Sequence, residues 1–118
     1  MNILHLEYSG MYRMIIKDMI IKSGNVSFDS KKGSELFKIL ALNDIDLIIT
    51  GTELSDMTGE DIVHEVKNSK FSNIPIIVIS ANEYDETIER FPNLHVDDYL
   101  QKQTLDFDRF CECIERYE

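Results

Sequence analysis

The stretch "DLIITGTELSDMTG" (46–59) decides how this chain folds. Four apolar or β-branched residues, Leu47 to Thr50, run into Gly51 and then into a polar loop. This is the pattern of a buried strand that opens on a glycine. In open α/β sheets, ligands and chemistry gather beyond the carboxyl ends of the strands, where strand order reverses. Gly51 stands at such an end and delivers no side chain.

Outward from this strand, short apolar runs alternate with segments of helical periodicity. The runs are "NILHL" (2–6), "NVSFD" (25–29), "DLIIT" (46–50), "IPIIVIS" (74–80) and "VDDYL" (96–100). Helices are predicted over 11–22, 32–42, 59–69, 83–91 and 105–118, the last with Phe107, Phe110, Cys111 and Ile114 on one face. Pro75 sits at a strand start, where a missing N–H is tolerated, and Pro92 should end the fourth helix early. Five strands alternating with five helices predict a parallel sheet covered on both faces by right-handed crossovers.

A length of 118 residues with 43% hydrophobic residues suits one domain, 1–118, with one core. No apolar stretch reaches the roughly 18 residues that span a bilayer, and "NILHL" follows Met1 without a basic leader. A soluble, cytoplasmic protein is expected. Twenty-two acids against twelve bases give a net charge of −10, which repels nucleic acid and anionic lipid, so neither direct nucleic-acid binding nor membrane association is expected. Cys111 and Cys113 are too close in sequence to staple distant parts of the fold. As a helical pair they fall on different faces, one toward the core and one partly exposed. His5, His64 and His95 lie on a strand, a helix and a loop without ligand spacing, so no metal or cofactor is expected.

The motifs "ILHLEYS", "DLIITGTELSDMTG", "IPIIVISA" and "DDYLQKQ", with their order and spacing, make the chain resemble the receiver domain of bacterial response regulators over nearly its whole length. The resemblance implies a flavodoxin-like, CheY-like, doubly wound (βα)5 fold with strand order 2-1-3-4-5, an order the flavodoxin and CheY folds share. In that family an aspartate ending the third strand takes a phosphoryl group with Mg²⁺, helped by two acids after the first strand. A hydroxyl after the fourth strand and a lysine after the fifth complete the site. On that pattern the chain keeps Ser80, followed by Ala81, and Lys102. The acid pair becomes Glu7 and Tyr8, and the acceptor position is Gly51. Ser55, Thr58 and Gln103 also depart from common family residues. A non-proline cis bond costs about 2.5–4 kcal/mol, so the Lys102–Gln103 bond is expected to be trans.

The vestigial pocket Glu7, Tyr8, Gly51, Ser80 and Lys102 therefore implies no catalysis and no phosphoryl acceptance. Lys102 either pairs with Glu7 to hold the strand ends or binds a partner's carboxylate or a small anion. Tyr99 matches the family's rotating aromatic or is a fixed surface residue. The expected function is that of a phosphorylation-independent receiver, not an enzyme: a protein-interaction or dimerisation module in two-component signalling, with the regulatory part of a transcription factor among its outputs. Partner or homodimer contacts are expected on the fourth helix, fifth strand and fifth helix, through Asp97, Asp98, Tyr99 and Arg109. The alternatives are phosphorylation of a displaced acid, Glu53 or Asp56, and a small-anion or metabolite sensor using the vacated pocket.

Overall fold

The computed structural model describes residues 1–118. In chain order it contains β1 (Asn2–Leu6), α1 (Gly10–Lys22), β2 (Val26–Ser30), α2 (Leu36–Leu42), β3 (Leu47–Thr50), α3 (Gly59–Lys67), β4 (Ile76–Ser80), α4 (Tyr84–Arg90), β5 (Asp98–Gln101) and α5 (Phe107–Glu115). The five parallel strands lie in the order β2-β1-β3-β4-β5, the doubly wound order expected from the sequence.

The near-continuous apolar strands have a simple cause, since both faces of the sheet are covered. Leu4, Leu6, Ile48, Ile76 and Val78 point to one side, where they meet Leu36 and Leu40 of α2 and Ile62, Val63 and Val66 of α3. Their neighbours Ile3, Leu47, Ile49, Ile77 and Ile79 point to the other, against Ile16 and Ile20 of α1 and Phe110, Cys113 and Ile114 of α5. Alternation along each strand thus feeds two cores.

Local signals fix the helix starts. Ser9 Oγ accepts from Tyr12 N at the head of α1, and Asp106 accepts from Arg109 N at the head of α5. Thr58 and Asp61 form a reciprocal capping box that starts α3.

Several boundaries differ from expectation. The segment expected as one helix over 32–42 opens with a 3₁₀ turn, Gly33–Glu35, whose first two N–H groups are taken by Asp56 rather than by a local cap. β2 lies one residue later than expected, α3 ends at Lys67, and α5 begins at Phe107. In α5 the buried stripe is Phe110, Cys113 and Ile114, with Tyr117 partly buried, while Cys111 is half-buried. Cys113 therefore replaces Cys111 in the core face, because the i, i+3, i+4, i+7 row that meets the sheet starts at Phe110. α4 ends at Arg90, before Pro92, and Leu94 beyond it returns to the core at 2% exposure. No helix is long and apolar enough to cross a membrane.

Candidate functional site

Strand register assembles the site. β1 and β3 pair through Leu6 and Thr50, so Glu7 and Gly51, one step further, come level with each other. β4 and β5 pair through Ser80 and Gln101, which sets Lys102 one step past the same edge. Glu7, Tyr8, Gly51, Ser80 and Lys102 all line one cavity of about 490 Å³, together with Ser9, Thr52, Glu53 and Asn82.

The charges of this cavity are matched from within. Lys102 Nζ lies 2.8 Å from Glu7 Oε1, with the two side chains only 14% and 4% exposed. Glu7 Oε2 accepts from Ser9 N at 2.8 Å. The lysine ammonium also rests over the Tyr12 ring, 4.4 Å from its centroid, where the ring quadrupole attracts a cation. Arg13 Nη1 donates to the Glu7 carbonyl at 2.9 Å and to the Tyr8 carbonyl at 3.3 Å, which pins the turn between β1 and α1. Tyr8 itself is 61% exposed.

Gly51 donates its N–H to the Leu6 carbonyl at 2.9 Å, and its φ is not positive. A Cβ built there meets Glu7 Oε1 at 3.5 Å, an ordinary contact. The backbone could therefore hold a side chain, and the glycine is not a conformational requirement. Gly59 is one. A Cβ there would collide with the Gly51 carbonyl oxygen and press on Thr52 Cα at 3.2 Å, because α3 starts against the end of β3.

Ser80 is buried, and its Oγ accepts from Asn82 N at 3.2 Å. The Tyr99 hydroxyl is held between Thr87 Oγ1 at 2.6 Å and the Asn82 carbonyl at 2.7 Å, with Tyr84 standing edge-on to its ring. Asp97 accepts from Ile76 N at 2.8 Å and so braces the start of β4. Asp98 joins β5 to α5 by accepting from Arg116 Nη1 at 2.8 Å and the Tyr117 hydroxyl at 2.7 Å. Desolvation pushes its carboxyl up, but those hydrogen bonds and the Arg116 charge outweigh it, so the carboxyl lies below its usual range. Arg109 is exposed and donates to the Thr104 carbonyl at 2.8 Å. Asp97, Asp98, Tyr99 and Arg109 thus all make internal bonds.

Both displaced acids are also engaged. Glu53 lines the cavity and pairs with Arg90 of α4. Asp56 accepts from Gly33 N at 2.8 Å and Ser34 N at 3.0 Å. Desolvation opposes its ionised form, but those hydrogen bonds prevail and its carboxyl lies below the usual range. The Lys102–Gln103 bond is trans, and Lys102–Thr104 forms a 3₁₀ turn.

His5 lies beneath the site, 1% exposed, with no hydrogen-bond partner at Nδ1. Burial, reinforced by the charges of Arg13 and Lys102, lowers its pKa to about 3. His64 and His95, far apart in sequence, line a second groove of about 510 Å³ with Glu60, Asp61 and Lys67. The sequence does not predict that convergence. It also leaves out Tyr12, Arg13 and Arg90, although the helix cap at Ser9 foretells that "MYR" starts a helix beside the strand end.

A doubly wound sheet with a strand-end crevice, a buried carboxylate–lysine pair and a hydroxyl at the end of β4 defines a signalling module of the receiver class. The chain belongs to the response regulator receiver domain family, whose model matches residues 3–115. It is 24% identical over 102 residues to the transcriptional regulatory protein CrdR of Helicobacter pylori, covering 86% of this chain and 47% of that protein. It is 28% identical over 103 residues to the cell cycle transcriptional regulator CtrA of Caulobacter vibrioides, covering 86% of this chain and 44% of that protein. The chain thus spans about half the length of these curated relatives. Among solved structures it is similar to the receiver domain of a sensor histidine kinase from Pseudomonas aeruginosa PAO1, which has magnesium coordinated in its cleft (TM-score 0.89, 20% identity, 98% and 95% of the two chains). It also resembles the Vibrio cholerae chemotaxis protein CheY4 (TM-score 0.86, 18% identity, 99% and 98% of the two chains).

Proposed function

We propose that this chain is a single receiver domain that takes part in two-component signalling by protein contact, in the cytoplasm and without accepting a phosphoryl group. The observation that carries the reading is the pairing at the strand ends. Gly51 offers no nucleophile, and the one carboxylate beside it is already bonded through both oxygens, to Lys102 and to Ser9 N. Mg²⁺ requires hard oxygen ligands near octahedral geometry. The donor set here, the two engaged carboxylates of Glu7 and Glu53 and an exposed phenol, does not fit that ion.

The pinned Tyr99 supports the same reading. Its two hydrogen bonds tie β5 to α4 and to the loop after β4, so the aromatic is a fixed strut between elements. The displaced-acid alternative is disfavoured by the bonds that already hold Glu53 and Asp56. An anion sensor is disfavoured because the charges of Lys102 and Glu53 are both matched internally.

Partner docking is assigned to the face of α4, β5 and α5. This face carries the exposed charges of Glu86, Glu89 and Arg109 and the aromatic Tyr84, which is 51% exposed and stands against Tyr99, a composition that suits a polar interface with an aromatic anchor. CrdR and CtrA are named as regulators of transcription, and a regulatory role within such a protein is the output proposed for this chain. Amide NMR spectra with and without acetyl phosphate and Mg²⁺ test the reading, and the two are expected to superimpose. Shifts spreading from Ser80 into α4 and β5 would refute it.

A further inference from the structure

The sequence of α2, "LFKILAL", offers one charge, Lys38. A helix apolar all round is ordinarily enclosed, yet this one covers the sheet with Leu36, Leu40 and the half-buried Ile39 alone. At 100° per residue Phe37, Ala41, Lys38 and Leu42 follow one another round its outward half, with Phe37 38% and Leu42 73% exposed. Phe71, beyond the end of α3, extends this surface, its ring centroid 6.3 Å from that of Phe37. The Lys70 ammonium lies over the same ring, 5.3 Å from its centroid.

The charge around this surface is opposite to that of the chain. Segments 31–43 and 66–74, which build it, hold Lys31, Lys32, Lys38, Lys67 and Lys70 against Glu35 alone, in a chain of net charge −10. All five lysines are exposed, and none forms an ion pair. With the bordering Asp44, Asp46 and Glu65 counted, lysines still outnumber acids, whereas elsewhere acids outnumber bases by more than two to one.

We propose that the outward face of α2 docks an acidic, amphipathic helical segment of a partner protein. The apolar side of that segment meets Phe37, Ala41, Leu42 and Phe71, and its carboxylates meet the lysines around them. Charge selects this occupant. A second copy related by a two-fold axis would set Lys38 and its neighbours against themselves. Nucleic acid and an anionic membrane also match the lysines, but both extend past this surface onto the acids of the rest of the chain, and a phosphate backbone leaves Phe37 and Leu42 uncovered. A single helical segment fits within the lysine rim. α2 follows the edge strand β2, whereas the α4, β5 and α5 face lies at the other edge of the sheet. The inference therefore stands whether or not that face is used and whether or not the chain accepts phosphate.

Fluorescence anisotropy on the whole chain tests it with a labelled synthetic peptide of about twenty residues, leucine along one helical face and glutamate, glutamine and alanine on the other. This peptide is expected to bind in the micromolar range, a scrambled peptide of the same composition roughly tenfold or more weaker, and a version with lysine for glutamate not at all. Leu42→Ser and Lys38→Glu should each raise the dissociation constant roughly tenfold, whereas Met14→Ser, at an equally exposed residue of α1 on the opposite side of the sheet, should leave it unchanged. All three side chains lie outside the core, and thermal melting checks that the variants are folded. Raising salt from about 0.05 M to about 0.3 M should weaken the complex, since opposite charges hold it. Amide shifts on adding the peptide should gather in α2 and around Phe71. Absent binding, equal binding of the scrambled peptide, indifference to Lys38→Glu or equal weakening by Met14→Ser would overturn the proposal. So would tighter binding of phosphatidylserine–phosphatidylcholine vesicles or of single-stranded oligothymidylate than of the peptide, or sedimentation showing a dimer of the chain that Leu42→Ser dissolves.

Discussion

Lys102→Met removes one partner from a buried ion pair and leaves the other in place. The Glu7 side chain, 4% exposed, would keep its bond from Ser9 N but lose the ammonium 2.8 Å away. Breaking a buried pair this way costs about 3–5 kcal/mol, because a carboxylate is left without compensation in a poorly solvated site. Methionine keeps most of the apolar stem over the Tyr12 ring, so lost packing adds little. Against a total stability of about 5–15 kcal/mol, the loss should lower the melting temperature by about 10–20 °C. Glu7→Gln is milder: its amide oxygen still accepts from Ser9 N, and the less buried lysine can turn toward water, for about 1–2 kcal/mol. Urea denaturation of wild type, both single variants and the double variant closes the cycle. A coupling of about 2 kcal/mol or more is expected, with the double variant losing less stability than the sum of the two single losses by that amount. Additive effects would refute the reasoning, since Lys102 would then be a free cation available to an incoming anion.

Two further perturbations probe the surroundings of the site. His5 has its pKa lowered from 6.5 to about 3, so between those values the unfolded chain binds more protons than the folded one. Its contribution to stability is intact above pH 6.5 and is lost as pH falls, at up to about 1.4 kcal/mol per unit. His5→Val should flatten the decline measured by denaturant titration between pH 7 and pH 5, and an unchanged slope would show that the imidazole is solvated. Gly59→Ala should destabilise by about 1–3 kcal/mol, since the obstacle to its Cβ is the backbone at Gly51 and Thr52. Wild-type melting behaviour in that variant would mean that α3 can shift away from the strand end.

Much of this arrangement is legible in the sequence because burial on both faces leaves a plain mark. Leu47 to Thr50 and Ile76 to Ser80 are apolar without interruption up to their last residues, the run that a strand buried on both faces requires. The turn residues that follow them locate Gly51 and Ser80 at the strand ends. What the sequence hides are contacts between loops. Asp56 reads as a solvated acid, yet it caps the turn at Gly33, 23 residues earlier. Gly59 reads as the start of a helix, yet its lack of a side chain is demanded by a neighbour eight residues back. Cys111 and Cys113 differ only in which of them continues the row begun at Phe110, and periodicity alone does not fix that phase. Tyr12 and Arg13 read as helix residues, and only the fold brings them against Lys102 and the Glu7 carbonyl.

The claim that the site lacks a phosphoryl acceptor, and lacks it through named residues, is tested most directly by rebuilding it. Gly51 accepts a Cβ without collision, so Gly51→Asp should fold. It places a second carboxylate beside Glu7, and with the Tyr8 phenol still at the mouth it should bind Mg²⁺ poorly and label weakly. Adding Tyr8→Asp supplies another short carboxylate, with Ser80 and Lys102 already at the strand ends. Intact mass after incubation with acetyl phosphate and Mg²⁺ is expected to show no adduct on the wild type, little on Gly51→Asp and clear labelling of the double variant. An adduct on the wild type itself, on Glu53, Asp56 or any other acid, would contradict the account.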